Sequence, residues 1–191
     1  MYKILFVASE AVPFIKTGGV ADVVGSLPKY IDKEDCDVRV IIPKYASMKP
    51  AMKEKLTDVT NFSIEYNWQN KYVGIQEAEV DGVHYYFIDN EDYFGGAGVY
   101  TSDARYEVER YAFFCQAVLS SLPVIGFQPE VIHCHDWQTG LIPVYLKERF
   151  ANDDFYQGVK SVITIHNLKF QGKWAIDDVK TMTGLADYYF T

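Results

Sequence analysis

Cysteine is scarce in this chain: 191 residues contain three, Cys36, Cys115 and Cys134. They are odd in number and widely spaced, which excludes a disulfide framework and leaves no CxxC knuckle for a metal. Small buried thiols in a reducing compartment are the simplest reading, so the cytoplasm is the expected location. Cations are also short, with 18 Lys and Arg against 26 Asp and Glu and a net charge of −8. Nucleic acids and anionic membranes reward a positive excess, so neither is an expected partner, and any phosphate has to be met by local groups. No apolar run approaches the roughly 20 residues of a membrane span, and no secretory signal precedes the first strand. Three motifs are missing as well. The first strand is not followed by G-x-G-x-x-G, which weakens a dinucleotide-dependent oxidoreductase. A G-x-x-x-x-G-K-[ST] loop and a G-x-S-x-G elbow are absent too, which disfavours a P-loop NTPase and an α/β-hydrolase.

What is present is a hydrophobic content of 49%, enough for one well-formed core, in an alternation of strand-like and helix-like segments. Ile4 to Ala8 reads as a buried strand, and Val20, Val23, Val24, Leu27 and Ile31 recur at helical spacing after it. A second buried strand, Val38 to Ile42, stops at Pro43. Phe62, Ile64 and Tyr66 alternate with polar residues, and segments 72–80 and 83–88 flank Asp81-Gly82, a strong hairpin signal. From Val108 a long helix is expected, with Tyr111, Ala112, Cys115, Val118, Leu119 and Leu122 on one face, ending near Pro123 and Gly126. A strand at 131–134, a helix at about 141–150 and a strand at 162–165 complete the pattern. The expected fold is α/β: a Rossmann-like parallel sheet flanked by helices, with an antiparallel hairpin excursion, forming a single domain over residues 1–191.

In such sheets ligands gather at the carboxyl ends of the strands, and the distinctive polar groups fall there. Lys16-Thr17-Gly18-Gly19-Val20-Ala21-Asp22-Val23 puts two glycines at a helix entrance, where unpaired N–H groups and the positive dipole end attract an anion, and Lys16 adds a full charge. The bland alternative is an ordinary glycine turn beside a solvated lysine. Ser9-Glu10 follows the first strand, His135-Asp136-Trp137 closes the strand at Val131, and His166-Asn167 closes the strand at Val162. A loop from Asp92 to Tyr106 holds Gly95, Gly96, Gly98 and the tyrosines 93, 100 and 106. Rings and paired donors and acceptors suit a sugar, so phosphate plus sugar is the simplest ligand. His133, His135, Asp136 and His166 are ligand types, but their spacing lacks a specific metal pattern, so no metal and no cofactor is assigned. Helix capping is the plain alternative for Asp136, chain-end hydrogen bonding for Asn167, and packing for Trp137.

These blocks resemble, in order, the signatures of bacterial glycogen synthases and plant starch synthases: Ala8-Ser9-Glu10 with the Lys16 turn, then His133 to Trp137, then Thr164 to Leu168 with Gln171-Gly172. Tyr100 and Glu109 to Phe114 fit between them. Val20 stands where that family often has Leu, and Phe170 where it often has Tyr. The resemblance covers nearly the whole chain. It implies the amino-terminal half of a retaining GT-B glucosyltransferase that uses ADP-glucose, with UDP-glucose left open, and an α-1,4-glucan acceptor. By the same resemblance Lys16, Gly18 and Gly19 would bind the diphosphate. Asp22, Tyr100, Trp137 and Asn167 would line the sugar side, with Asp136 and His166 nearest the chemistry. A chain without its second half would be inactive. A non-catalytic glucan- or nucleotide-binding module is the alternative reading.

Overall fold

The computed structural model describes residues 1–96 and 98–190. In chain order the first elements are β1 (Tyr2–Val7), α1 (Gly19–Ser26), β2 (Cys36–Pro43), α2 (Pro50–Lys53), β3 (Thr57–Tyr66), β4 (Gln69–Val80), β5 (Val83–Asp89) and α3 (Glu91–Phe94). Then come α4 (Ala104–Ile125), β6 (Val131–His135), α5 (Ile142–Glu148), β7 (Lys160–Thr164) and α6 (Ile176–Thr183). The strands form one sheet in the order β3-β4-β5-β2-β1-β6-β7. β5, β2, β1, β6 and β7 run parallel, whereas β3 and β4 are the antiparallel excursion. Asp81 and Gly82 both have positive φ, 53° and 70°, as a two-residue type I′ turn requires. The β3–β4 turn has the same handedness at Asn67 (49°) and Trp68 (61°). The sequence gives little sign of that turn, because tryptophan seldom adopts a left-handed conformation.

The strands bury their apolar runs on both faces: Leu5, Val7, Val40, Ile41, Ile42, Phe87, Ile88 and Ile132 are inaccessible to solvent. That is why they read as continuous hydrophobic segments. β7 differs. It lies at the sheet edge, and Val162 and Ile163 are about half exposed.

α4 is buried well beyond the single face its periodicity suggests, because the helix lies in the hydrophobic core and α5 and α6 pack against it. It ends as the sequence indicates. Pro123, in the last turn, has no N–H to offer the carbonyl four residues earlier, and that carbonyl, on Leu119, accepts the Tyr156 hydroxyl instead. Gly126 closes the helix at φ 66°. α1 is shorter than expected. It passes at Leu27 into a 3-10 turn that carries Pro28, and Val23 and Leu27 face solvent. Of the three loop tyrosines, Tyr93 belongs to α3 and Tyr106 to α4. Tyr93 donates to Glu109 and Tyr106 to the carbonyls of Asp92 and Tyr93, so both hold structure together. Ala97, in the same loop, lies outside the described residues.

Candidate active site

The chain leaves β1 on one side toward β2 and later returns on the other side as β6, which makes the β1/β6 boundary the topological switch point of the sheet. The register sets the ends level: Val7 pairs with Cys134, and His135 pairs with Thr164. A cleft of about 1130 Å³ opens over these ends. Gly18, Gly19 and Val20 line one wall, Tyr100 and Glu107 another, and Asp136, Trp137, His166 and Asn167 the third. Segment 169–174 closes the rim.

Glu10 organises the glycine turn. Its carboxylate is fully buried and accepts from the Thr17 amide, from Thr17 Oγ1 at 2.9 Å and from the Gly18 amide at 3.3 Å. The other oxygen accepts from the Tyr100 hydroxyl at 3.1 Å, and that hydroxyl also lies 3.0 Å from Ser9 Oγ. Gly18 is therefore the N-cap of α1 with its own amide already engaged. The amides of Gly19 and Val20, in the first turn, are the ones helix geometry leaves for an anion. Lys16 forms a two-pronged ion pair with Asp22 at 2.7 Å, and both side chains are about half exposed. Neither residue is among those lining the cleft.

Tyr100 is held from behind. Glu107 and Arg110, almost wholly buried, pair at 2.6 Å. Arg110 donates to the carbonyls of Gly98 (2.9 Å) and Val99, and Glu107 accepts from the Thr101 amide at 3.0 Å. Burial raises the Glu107 carboxyl above its ordinary pKa, against the opposing pull of Arg110, and it raises the Tyr100 hydroxyl as well.

On the third wall Asp136 adopts φ 62° and ψ −178°, a conformation nearly reserved for glycine. Two bonds tie it to β7 and the residues after it: its amide donates to the Thr164 carbonyl at 2.9 Å, and its Oδ1 accepts from the His166 amide at 2.7 Å, while its carbonyl accepts from Thr139. It makes no side-chain cap to the following turn, so the capping alternative is not what is observed. Asn167 does use its Oδ1 locally, accepting from the Lys169 amide at 2.9 Å. Trp137 stands edge-on to Tyr111 and to Trp174. Gly172, at φ 63°, lies so close that a Cβ there would come within 2.7 Å of the indole, so only glycine lets segment 169–174 close over Trp137.

His133, His135 and His166 form a row. Stacked rings place His133 and His135 4.2 Å apart, and His135 Nδ1 is 2.9 Å from His166 Nε2. Burial, reinforced by the two neighbouring imidazoles, draws His135 down to about 3. Burial and His166 lower His133 as well. Among the described residues no group of His, Cys, Asp and Glu comes together as a metal site.

The structure thus gathers Gly18, Gly19, Tyr100, Asp136, Trp137, His166 and Asn167 around one cleft and leaves Lys16 and Asp22 beside it. Glu107, Gln138 and Trp174 join them without having been singled out, as does Glu10, which the sequence placed among the polar groups on this rim without a role of its own. For Glu10 a signal existed: a carboxylate directly after a buried strand and just ahead of a glycine turn. For Gln138 and Trp174 the sequence offers none.

The family described as the starch synthase catalytic domain matches residues 3–191. A glycogen synthase from Lachnospira eligens is 60% identical over 191 residues, all of this chain and 40% of that protein. One from Lachnoclostridium phytofermentans is 54% identical over the same coverage. The chain therefore spans about two fifths of the length of these relatives. Among solved structures, the catalytic domain of starch synthase IV from Arabidopsis thaliana, bound to ADP and acarbose, superposes with a TM-score of 0.82 at 26% identity, over 97% of this chain and 37% of that one. The mixed seven-stranded sheet with flanking helices is the amino-terminal half of the GT-B architecture.

Proposed function

The chain belongs to the starch synthase catalytic domain family, and on that premise we propose that it is the amino-terminal part of a glycogen synthase. The reaction is transfer of glucose from ADP-glucose to the non-reducing end of an α-1,4-glucan, with retention at the anomeric carbon. The observation that carries this reading is the cleft at the sheet's switch point, which has a helix entrance on one wall and Asp136, Trp137, His166 and Asn167 on another. The Arabidopsis relative's ADP and acarbose are a nucleotide and a sugar oligomer of the kind such a cleft would take.

In this proposal the amides of Gly19 and Val20 receive the diphosphate. Lys16 exchanges Asp22 for a phosphate oxygen and stabilises the charge that grows on the leaving nucleotide. Asp136, Trp137, His166 and Asn167 orient the glucose, and the rim at 169–174 limits water at the reacting carbon. This chain contributes one side of the active site, and transfer depends on groups that it does not contain. The expected location is the cytoplasm, and no helix among the described residues is long and apolar enough to cross a membrane.

The test compares the full-length enzyme with the isolated 191-residue chain, each given labelled ADP-glucose or UDP-glucose and a glucan primer. Incorporation by the full-length enzyme, faster from ADP-glucose, and none by the chain alone is the expected result. Efficient elongation by the chain alone would overturn the reading that it supplies only part of the active site. A preference for UDP-glucose would overturn the donor assignment.

A further inference from the structure

We propose that His135 is a positioning residue that fixes the proton of His166 on Nδ1, so that His166 meets the sugar as a hydrogen-bond donor. This rests on the sugar-orienting role proposed for His166 and adds what sets the polarity of its ring.

The geometry leaves His135 little choice. Its side chain is 1% exposed and packed among the rings of Phe6, His133 and His166, with centroids 5.1, 4.2 and 5.2 Å away. Nδ1 lies 2.9 Å from His166 Nε2, so a single proton is shared across that contact. The other nitrogen, Nε2, is buried and has no hydrogen-bond partner among the described residues. A ring in this setting stays neutral, because burial and two adjacent imidazoles disfavour its cation.

A neutral imidazole carries one N–H and one bare lone pair, which gives two arrangements. With the proton on Nε2, a donor is orphaned in the interior, and His166 donates from its own Nε2. With the proton on Nδ1, only a lone pair is orphaned, and His135 donates to His166. Orphaned buried N–H groups are rarer in folded proteins than under-used acceptors, so the second arrangement is favoured. It occupies the His166 Nε2 lone pair and forces that ring's proton onto Nδ1. No protein group among the described residues takes up that Nδ1, and His166 lines the cleft. The backbone of His166 is fixed independently by Asp136 Oδ1 at 2.7 Å, so the ring is registered from both ends. His133 extends the row without competing, since its Nε2 is bonded to Thr164 Oγ1 at 2.7 Å.

The experiment uses full-length enzyme labelled with 15N-histidine and no ligand, with the His166 signals identified by their disappearance in His166→Gln. A pyrrole-type shift at Nδ1 and a pyridine-type shift at Nε2 are expected near neutral pH. The reverse pattern overturns the proposal, and this spectrum needs no change at His135. In His135→Phe, which keeps a ring in the stack, the two His166 shifts should move toward each other as the tautomers mix. Turnover should fall about tenfold while KM for the sugar nucleotide changes less than twofold. His135→Asn places an amide N–H near the lost Nδ1–H and should recover part of both effects. Unchanged His166 shifts and turnover in His135→Phe would also overturn the proposal. Full activity in His166→Ala with the Nδ1–H pattern intact in the parent would instead remove the sugar-orienting role and leave the tautomer assignment standing.

Discussion

In the full-length enzyme, Glu10→Ala should bind ADP or ADP-glucose roughly a hundredfold more weakly than Glu10→Gln. The carboxylate accepts from two backbone amides and a hydroxyl of the glycine turn, and from Tyr100 across the cleft. Hydrogen bonds to a charged group contribute about 1.5–3 kcal/mol each when a partner is deleted. Thr17 is exposed and Gly18 half-buried, so water would satisfy the freed donors and the lower end applies. Two such bonds then amount to about 3 kcal/mol of turn organisation, or about two orders of magnitude in an equilibrium constant. Removing a negative charge beside an anion site acts in the opposite direction. At a separation of about 6 Å and an effective dielectric of about 20 that repulsion is worth up to about 3 kcal/mol. The two effects are therefore comparable, and Glu10→Gln separates them. Glutamine keeps an oxygen for the turn and loses only the charge, so it should bind the nucleotide at least as well as the parent, whereas Glu10→Ala should bind it about a hundredfold more weakly than Glu10→Gln. Isothermal titration of ADP into both variants, with thermal denaturation as a control for folding, reads the difference. Equal binding by the two variants would mean that Glu10 does not organise the anion site.

Lys16→Ala should lower turnover by an amount equivalent to about 2–4 kcal/mol of barrier, with little recovery in Lys16→Gln, and steady-state kinetics on a folded variant checks it. His166→Ala and Asp136→Ala should reduce kcat more than nucleotide affinity, and chelators should leave activity unchanged. Stoichiometric zinc whose removal abolishes activity and whose return restores it would contradict that assignment. The depressed pKa of His135 makes the unfolded chain bind one more proton between pH 6.5 and about 3. Its contribution to stability is therefore complete above pH 6.5 and is lost, at up to about 1.4 kcal/mol per pH unit, as the pH falls through that window. Urea denaturation of His135→Phe at pH 5 and pH 7 should show a shallower acid dependence than the parent.

The parallel strands were legible in the sequence because burial on both faces makes them continuous apolar runs, and α4 because its apolar positions recur at helical spacing and end at Pro123 and Gly126. What periodicity does not carry is how many sides of an element are covered. One face of α4 could be inferred, yet most of its circumference is packed, and Val23 and Leu27 look like core but face solvent. The clustering of the cleft's polar residues at strand ends was legible for a related reason, since an open α/β sheet gathers its loops there. Their partners were not. That Lys16 is paired with Asp22, that Gly18 spends its amide on Glu10 and that Asn167 turns back on Lys169 are decided by distances across loops. Residue order along the chain carries no such information.

Asp136 shows why a site of this kind depends on those cross-loop bonds. A non-glycine residue at φ 62°, ψ −178° is disfavoured by about 1–3 kcal/mol, and glycine would adopt the same backbone at little cost. The aspartate is retained in that conformation by one bond from its amide to Thr164 and one from its Oδ1 to the His166 amide. Both partners lie on β7 or directly after it, so the ends of β6 and β7 are locked together through the residue that enters the cleft. The two bonds, at about 1–3 kcal/mol together, are of the size needed to offset the strain. An asparagine here could still accept from His166 and hold the backbone, whereas an alanine would keep only the backbone bonds, to Thr164 and from Thr139, and release His166. The full-length Asp136→Asn enzyme should therefore keep the His166 ring in register with His135, and Asp136→Ala should lose it. The 15N pattern of the His166 imidazole distinguishes the two, and an unaltered pattern in Asp136→Ala would show that the stack with His135 holds the ring without help from Asp136.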